Sequence, residues 1–447
     1  MPDKRKKKNA AINKGRGKTR RKTRKDLQAQ DVGSIHFSHE EDANLYANAR
    51  KEGHKLDKRA QKIFIMVVVL LAVFFIGLII PKNMLNSALH NTGYGGGYTF
   101  SWFVDSLQEN INGLVALVTG NDTGPVPFSN TVFRYLVICF AGAGLALCGA
   151  VYQGAFKNPL VSPSTLGVMS GASLGMIVWV VFFIPDEGTT DISWVNSLVG
   201  NSSSTATTST ASDLLSTYGL SMISFAGCAI VVALVLFTMR FLGRFTRSNL
   251  MVIIVGQMLG GVCGAIVNTV RYYYVALDPY STKSQLLTQL QIATFYRNYG
   301  WIDVAALLVS LAACAIVVLI WRRRMMLLSL GEEEARSLGV ETRRMQIIVV
   351  AVCTLLTAII VSFAGTVGFI GFLIPHLSRR LVGADFGYLL PAAMVLGAIF
   401  VLVAYILVSA LLGPDYETMS GMYISIGGAI VFLVTALRNR GGERGGF

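Results

Sequence analysis

From Ile63 onward the chain is written in apolar runs separated by short polar turns. Each run is about 20 residues long, the length that crosses the hydrocarbon core of a bilayer as a helix. In lipid every backbone polar group must be satisfied within the segment, which leaves helices as the solution for runs of this kind. The 447 residues would suffice for several soluble domains, but 53% are apolar and only 14% charged, and the apolar ones are bunched into the runs. The reading is an all-α polytopic membrane protein with about ten transmembrane helices.

The expected spans are about Ile63–Pro81, Thr131–Gln153, Ser164–Ile184, Gly219–Met239, Asn249–Val270, Trp301–Trp321, Gln346–Ala364, Val367–Val382, Leu389–Leu412 and Met422–Leu437. An additional interfacial helix is expected around Trp102–Val118, and a short one at Ser284–Thr294. Clusters such as Arg240/Arg244/Arg247, Arg322–Arg324 and Arg379-Arg380 then fall on one side. The positive-inside rule makes that side cytoplasmic and puts both termini there, in a multi-pass plasma-membrane protein. The basic surplus itself sits in a tail. Residues 1–62 hold 19 Lys and Arg against 8 Asp and Glu, a net of +11 out of the whole chain's +14. Residues 1–61 read as a largely disordered cytoplasmic tail near anionic lipid, with a polar helix from Glu40 leading into the membrane. No aromatic or folded module accompanies the charge, so no nucleic-acid partner is expected.

The stretch Gly142–Gly175 is the organising hairpin. A small-residue apolar helix ends in Gln153, breaks at Lys157-Asn158-Pro159, and is followed by a second glycine-rich helix. Small residues let helix backbones approach closely in lipid, and a non-helical break at membrane depth survives when buried in protein or lining water. The fifth span repeats the theme in GQMLGGVCGA, with Gly256, Gly260 and Gly261.

Several chemistries are argued against. The expected spans are read as holding no Asp or Glu at any position, whereas a proton relay or coupling-ion site would need one. Gly17-Lys18-Thr19 is not a phosphate loop, because position 12, where the loop needs its first glycine, is Ile12. The chain therefore should not hydrolyse ATP, and uphill transport would draw on a partner. The six cysteines lie singly within apolar runs and read as small hydrophobes. His36, His39 and His376 lack companions at ligand spacing, so no metal site is expected. Arg379 and Arg380 read as topology signals. Leu328–Val340, LSLGEEEARSLGV, is a short amphipathic segment with Glu332, Glu333 and Glu334 in its first turn, where acids favour a helix start, and a glycine stop at Gly339. It suits either docking on another protein or lying on the membrane surface.

Three motifs in order, Gln153 with NPLVSP (Asn158–Pro163), LSLGEEEARSLGV, and GFIGFLIPHLSRRLVG (Gly368–Gly383), resemble the permease subunit of ABC importers for iron-siderophores, haem and cobalamin. The resemblance runs from about Lys62 to Arg440. It implies a ten-helix permease fold over 62–440, with spans two to five and seven to ten as inverted repeats and 325–345 as a cytoplasmic coupling segment. Leu330, Gly331, Glu332, Glu333, Ala335, Leu338 and Gly339 would then sit in a groove of an ATPase subunit. Arg134 matches an arginine that docks the extracellular solute-binding protein, although the arginine usual three residues earlier is Thr131 here. Gln153, Asn158, Pro159, Gly256, Gly260, Gly261, Gly427 and Gly428 would pack or line the translocation path, shared with a second copy or a sister permease. The family binds no cofactor on this subunit, and ATP is used by the partner. LQIATFY (Leu290–Tyr296) and GGAIVF (Gly427–Phe432) depart from the family pattern. The residues also leave open an ion-coupled secondary transporter, or a membrane scaffold recruiting partners through its tail, and the same fold for haem or cobalamin.

Overall fold

The computed structural model describes residues 39–79, 100–119, 128–184, 211–242, 250–279, 281, 283–284, 286–288, 295, 299–330, 342–412 and 419–440. Among them are eleven α-helices: α1 His39–Ile79, α2 Phe100–Thr119, α3 Phe128–Ala155, α4 Val168–Phe183, α5 Ala211–Leu242, α6 Leu250–Leu277, α7 Trp301–Leu330, α8 Thr342–Ala364, α9 Ile370–Val382, α10 Phe386–Leu412 and α11 Ser420–Arg440. Each expected span falls on one of them, and α2 answers the expected interfacial helix. By length and composition six are able to cross a membrane, and α4 and stretches of α2, α5 and α11 are shorter apolar helices. The chain divides after Lys58 into two compact units, of which the first holds the beginning of α1. The functional residues described below all lie in the unit from Arg59 onward.

α3 is the axis of that unit. Of its apolar window 89% is buried, against 11% for α1, and α7, α8, α9 and α10 all pack on it. Its small residues explain why. A Cβ at Gly142 would lie 2.5 Å from the Gly397 carbonyl oxygen of α10. One at Gly149 would overlap the Gly371 carbonyl of α9. Such contacts replace side-chain interdigitation with backbone-to-backbone packing. A second group pairs α4 with α5 and α6. There a Cβ at Gly171 would meet the Gly227 carbonyl oxygen at 2.8 Å.

Three sequence expectations are corrected. The third span was placed from Ser164, yet α4 starts only at Val168, because Gly167 takes φ 74° and residues 163–167 form a turn. The sixth span was ended at Trp321, yet α7 continues through Arg322–Arg324 to Leu330. Charged side chains at a helix end can extend into solvent without interrupting the backbone ladder, so they mark an interface and not a terminus. Leu330, the first of the expected coupling residues, is the last residue of α7. A carboxylate does occur within an expected span. Asp303 is 5% exposed and accepts a hydrogen bond from the Gly300 N–H (2.9 Å), so it serves the start of α7.

α4 and α9, the second helix of each expected repeat by chain order, are both preceded by a left-handed residue, Gly167 at φ 74° and Phe369 at φ 64°.

Candidate functional site

The site is built where α3 ends. Pro375 lies inside α9. Proline has no N–H, so the carbonyl four residues earlier, that of Gly371, loses its helical donor. Gln153, in the last turn of α3 and 3% exposed, supplies one. Its Nε2 donates to the Gly371 oxygen (3.4 Å) and to the Phe372 oxygen (3.2 Å). Its Oε1 accepts from Arg379 Nη1 at 2.6 Å. A neutral amide is suited to this place because it presents donor and acceptor at once. Gln153 thus holds α9 on both sides of its proline.

The break follows directly. α3 stops at Ala155, Lys157 is left-handed (φ 51°), and the Asn158 N–H donates to the Gln153 carbonyl (3.2 Å). Asn158 Oδ1 accepts from the Leu160 N–H (2.9 Å), the local turn that asparagine favours. Pro159 is exposed. Further on, the Ser162 N–H donates to Thr165 Oγ1 and Thr165 Oγ1 donates back to the Ser162 carbonyl, both at 2.8 Å. The turn is thereby closed on itself and wedged between helices. Pro163 Cδ lies 2.7 Å from where a Gly371 Cβ would stand. On the other side a Cβ at Gly256 would lie 2.5 Å from the Thr165 oxygen, and one at Gly260 3.3 Å from Gly167 Cα. Gln153, Asn158, Gly256 and Gly260 therefore belong to one assembly around residues 156–167.

Two further contacts connect this assembly with what flanks 331–341. Gln346 Nε2, in the first turns of α8, donates to the Ala155 carbonyl, the last residue of α3 (2.9 Å). Gly154 packs against Phe386 and, at 3.6 Å from its would-be Cβ, Met325 Cε of α7. Gly331, Glu332, Glu333, Ala335, Leu338 and Gly339 lie outside the described residues, as does the Leu330 side chain.

The remaining candidates separate. Gly261 has nothing within 4 Å of a would-be Cβ, nor has Gly427. Both lie on open faces, beside Met258 and Val262 on α6 and Ile426 and Ile430 on α11. Gly428 faces Phe369 instead (3.2 Å), and the Gly368 N–H donates to Ser425 Oγ (3.0 Å), so α11 packs on the lead-in to α9. Arg134 stands near the opposite end of α3 from Gln153. It is half-buried and donates from Nη1 to the Tyr405 hydroxyl (3.3 Å). The sequence reading missed Arg379 as a partner. The signal was present: a proline inside a helical pattern announces an orphan carbonyl and a need for outside donors.

The comparisons with known proteins agree with this architecture. The model of the FecCD transport family matches residues 97–438. Hemin transport system permease protein HmuU of Yersinia pestis is 31% identical over 69% of this chain and 81% of its own. Molybdate import system permease protein MolB of Haemophilus influenzae is 32% identical over 69% and 80%. Iron(3+)-hydroxamate import system permease protein FhuB of Bacillus subtilis is 30% identical over 69% and 70%. A solved metal-chelate type ABC transporter in an inward-facing conformation superposes with a TM-score of 0.61 at 25% identity, covering 85% of this chain and 99% of that one. A helical bundle of membrane-crossing length, matched over most of its residues and along nearly the whole of a solved transporter chain, places this protein: it belongs to the FecCD transport family of membrane permeases.

Proposed function

We propose that this chain is the permease subunit of an ATP-driven importer that carries an iron-siderophore or related metal chelate across the cell membrane by alternating access. One observation carries the mechanism. The Gln346–Ala155 bond lies at the start of α8, just beyond residues 331–341, and Gln153 two residues before Ala155 grips α9. A push on the 331–341 segment by an ATPase subunit is thereby transmitted through α8 to the end of α3, and from there to α9. Small-residue contacts without intervening side chains make such shifts rigid-body movements and not local repacking.

In this reading Leu330, Gly331, Glu332, Glu333, Ala335, Leu338 and Gly339 form the coupling segment, and the basic end of the bundle faces the cytoplasm together with both termini. The chain holds no cofactor of its own, and ATP is consumed by the partner. The open faces of α6 and α11 meet a second copy or a sister permease, with Gly261 and Gly427 toward the path. A solute-binding protein delivers cargo at the outer end. Arg134, which donates to the Tyr405 hydroxyl from Nη1, is the docking residue in this reading. The chelate assignment draws on the relatives, whose names give hemin, iron(3+)-hydroxamate, Fe(3+)-citrate and molybdate as cargo.

The test is uptake of radiolabelled ferric siderophores, haem and cobalamin by cells with and without the gene, with ATP depletion as control. Gene- and ATP-dependent uptake of a ferric siderophore is expected. Gene-dependent uptake of haem or cobalamin alone would retain the permease and replace its cargo, and gene-dependent uptake that survives ATP depletion would overturn the energy source.

A further inference from the structure

α1 lies before residue 97, where the family match begins. Its outward side is nearly all exposed, including Phe64, Ile65, Leu71 and Phe75. Yet its apolar, membrane-length part, Lys58–Ile79, is fastened by polar contacts at both ends. At one end the Tyr135 hydroxyl of α3 donates to the Gly77 carbonyl (3.0 Å). At the other, Lys62 Nζ donates to the Leu381 carbonyl in the last turn of α9 (2.7 Å). The Arg59 guanidinium sits over the Tyr388 ring, 5.9 Å from its centroid. It also lies against Gly383, where a Cβ would come within 3.2 Å of Nη2.

We propose that α1 is a tether for α9, with Lys62 and Arg59 as positioning residues that fix the carbonyl end of the Pro375 helix, while Gln153 holds its first-turn carbonyls and the Arg379 side chain. The physical case starts from α9 itself. It has 13 residues and a proline in the middle, so its own ladder is short and interrupted. The last carbonyls of any helix lack internal donors. Here the Gly383 N–H satisfies Arg379 (2.9 Å), and Lys62 satisfies Leu381 with a cation, the charge a helix C-terminus prefers. Gly383 is at φ +91°, a conformation and a closeness that let the Arg59 side chain lie flat across the turn between α9 and α10. Held by α3 at its first turn and at Arg379, and by α1 at its last carbonyls, α9 follows a movement of α3 as a lever with a fixed end. Without the tether, its C-terminal turn would absorb that movement.

The role in transport rests on the function proposed above, so the test needs one readout that does not. The full chain with its ATPase partner in lipid nanodiscs is compared with Lys62→Met, Lys62→Arg, Arg59→Ala and a deletion of residues 1–58, which keeps both anchors. Amide exchange over residues 377–385 reads the tether directly, and solute imported per ATP hydrolysed reads its consequence. Lys62→Met should speed exchange in the last turn of α9 about tenfold, the size expected for losing one charged hydrogen bond, and lower import per ATP. Arg59→Ala should act in the same direction, Lys62→Arg should restore both readouts, and the deletion should leave both within about twofold of wild type, since local opening is governed by contacts it does not touch. Unchanged exchange in Lys62→Met and Arg59→Ala would overturn the tether. Faster exchange with unchanged import per ATP would overturn the positioning role. If wild type imports nothing with ATP, the transport reading fails while the exchange data still judge the tether.

Discussion

Replacing Gln153 with leucine removes the amide while keeping a similar volume. The Gly371 carbonyl, already without a helical donor because of Pro375, then loses its substitute. Arg379 loses the acceptor at 2.6 Å. A hydrogen bond to a charged group is worth about 1.5–3 kcal/mol and an orphaned buried carbonyl costs about 1–3 kcal/mol. Arg379 is half-buried near the end of the bundle, where water recovers part of the first term, so the net expectation is about 2–4 kcal/mol. At about 1.4 kcal/mol per factor of ten, that shifts the population of docked α9 by about 30-fold to 700-fold. The assay is ATP-driven uptake beside thermal unfolding of the purified permease–ATPase complex. Uptake should fall at least tenfold by this estimate, with a lowered melting temperature but preserved ATPase binding. Gln153→Glu should fall between wild type and Gln153→Leu: it keeps the acceptor for Arg379 but turns a second oxygen toward two carbonyls. Wild-type uptake and melting in Gln153→Leu would refute the idea that this side chain holds α9.

Other outcomes follow from the same contacts. Gly149→Leu and Gly142→Leu should prevent assembly of the permease, because their Cβ atoms meet partner backbone and not a side chain that can move; membrane yield and gel-filtration profile check this. Gly261→Ala and Gly427→Ala, with open space at the would-be Cβ, should leave yield unchanged. Gln346→Ala should reduce import per ATP hydrolysed without abolishing ATPase binding, since it cuts the link to Ala155 while leaving residues 331–341 intact. Charge reversal of Glu332–Glu334 together with Leu338→Ser should uncouple hydrolysis from uptake; unchanged ATP-driven uptake in that variant would refute the coupling assignment.

Much of the helical architecture was legible because hydrophobic run length reports directly on what a bilayer demands. The break after Gln153 was visible in Asn158-Pro159, and the tight helix contacts in Gly142, Gly149 and Gly256. What hydropathy does not encode is how each helix is rotated. Gly256 and Gly261 look alike in a glycine-rich run, yet one presses on the Thr165 carbonyl and the other faces open space. Arg379 and Arg380 likewise look equivalent, but only Arg379 reaches the Gln153 amide among the described contacts. The bond from Arg134 to the Tyr405 hydroxyl also joins residues 271 positions apart, a pairing that hydropathy does not encode. Asp303 shows the same limit from another side. A carboxylate near a span end is costly only if unpaired, and the Gly300 N–H that pairs with it is a feature of the turn, not of composition.

The measurement that bears most directly on the account is uptake of a ferric siderophore into proteoliposomes containing this permease and its ATPase partner, with the binding protein outside and either ATP inside or an imposed proton or sodium gradient. Accumulation is expected with ATP alone, none with a gradient alone, and loss of accumulation in Gln153→Leu; accumulation driven by a gradient without ATP would overturn the ATP-driven reading.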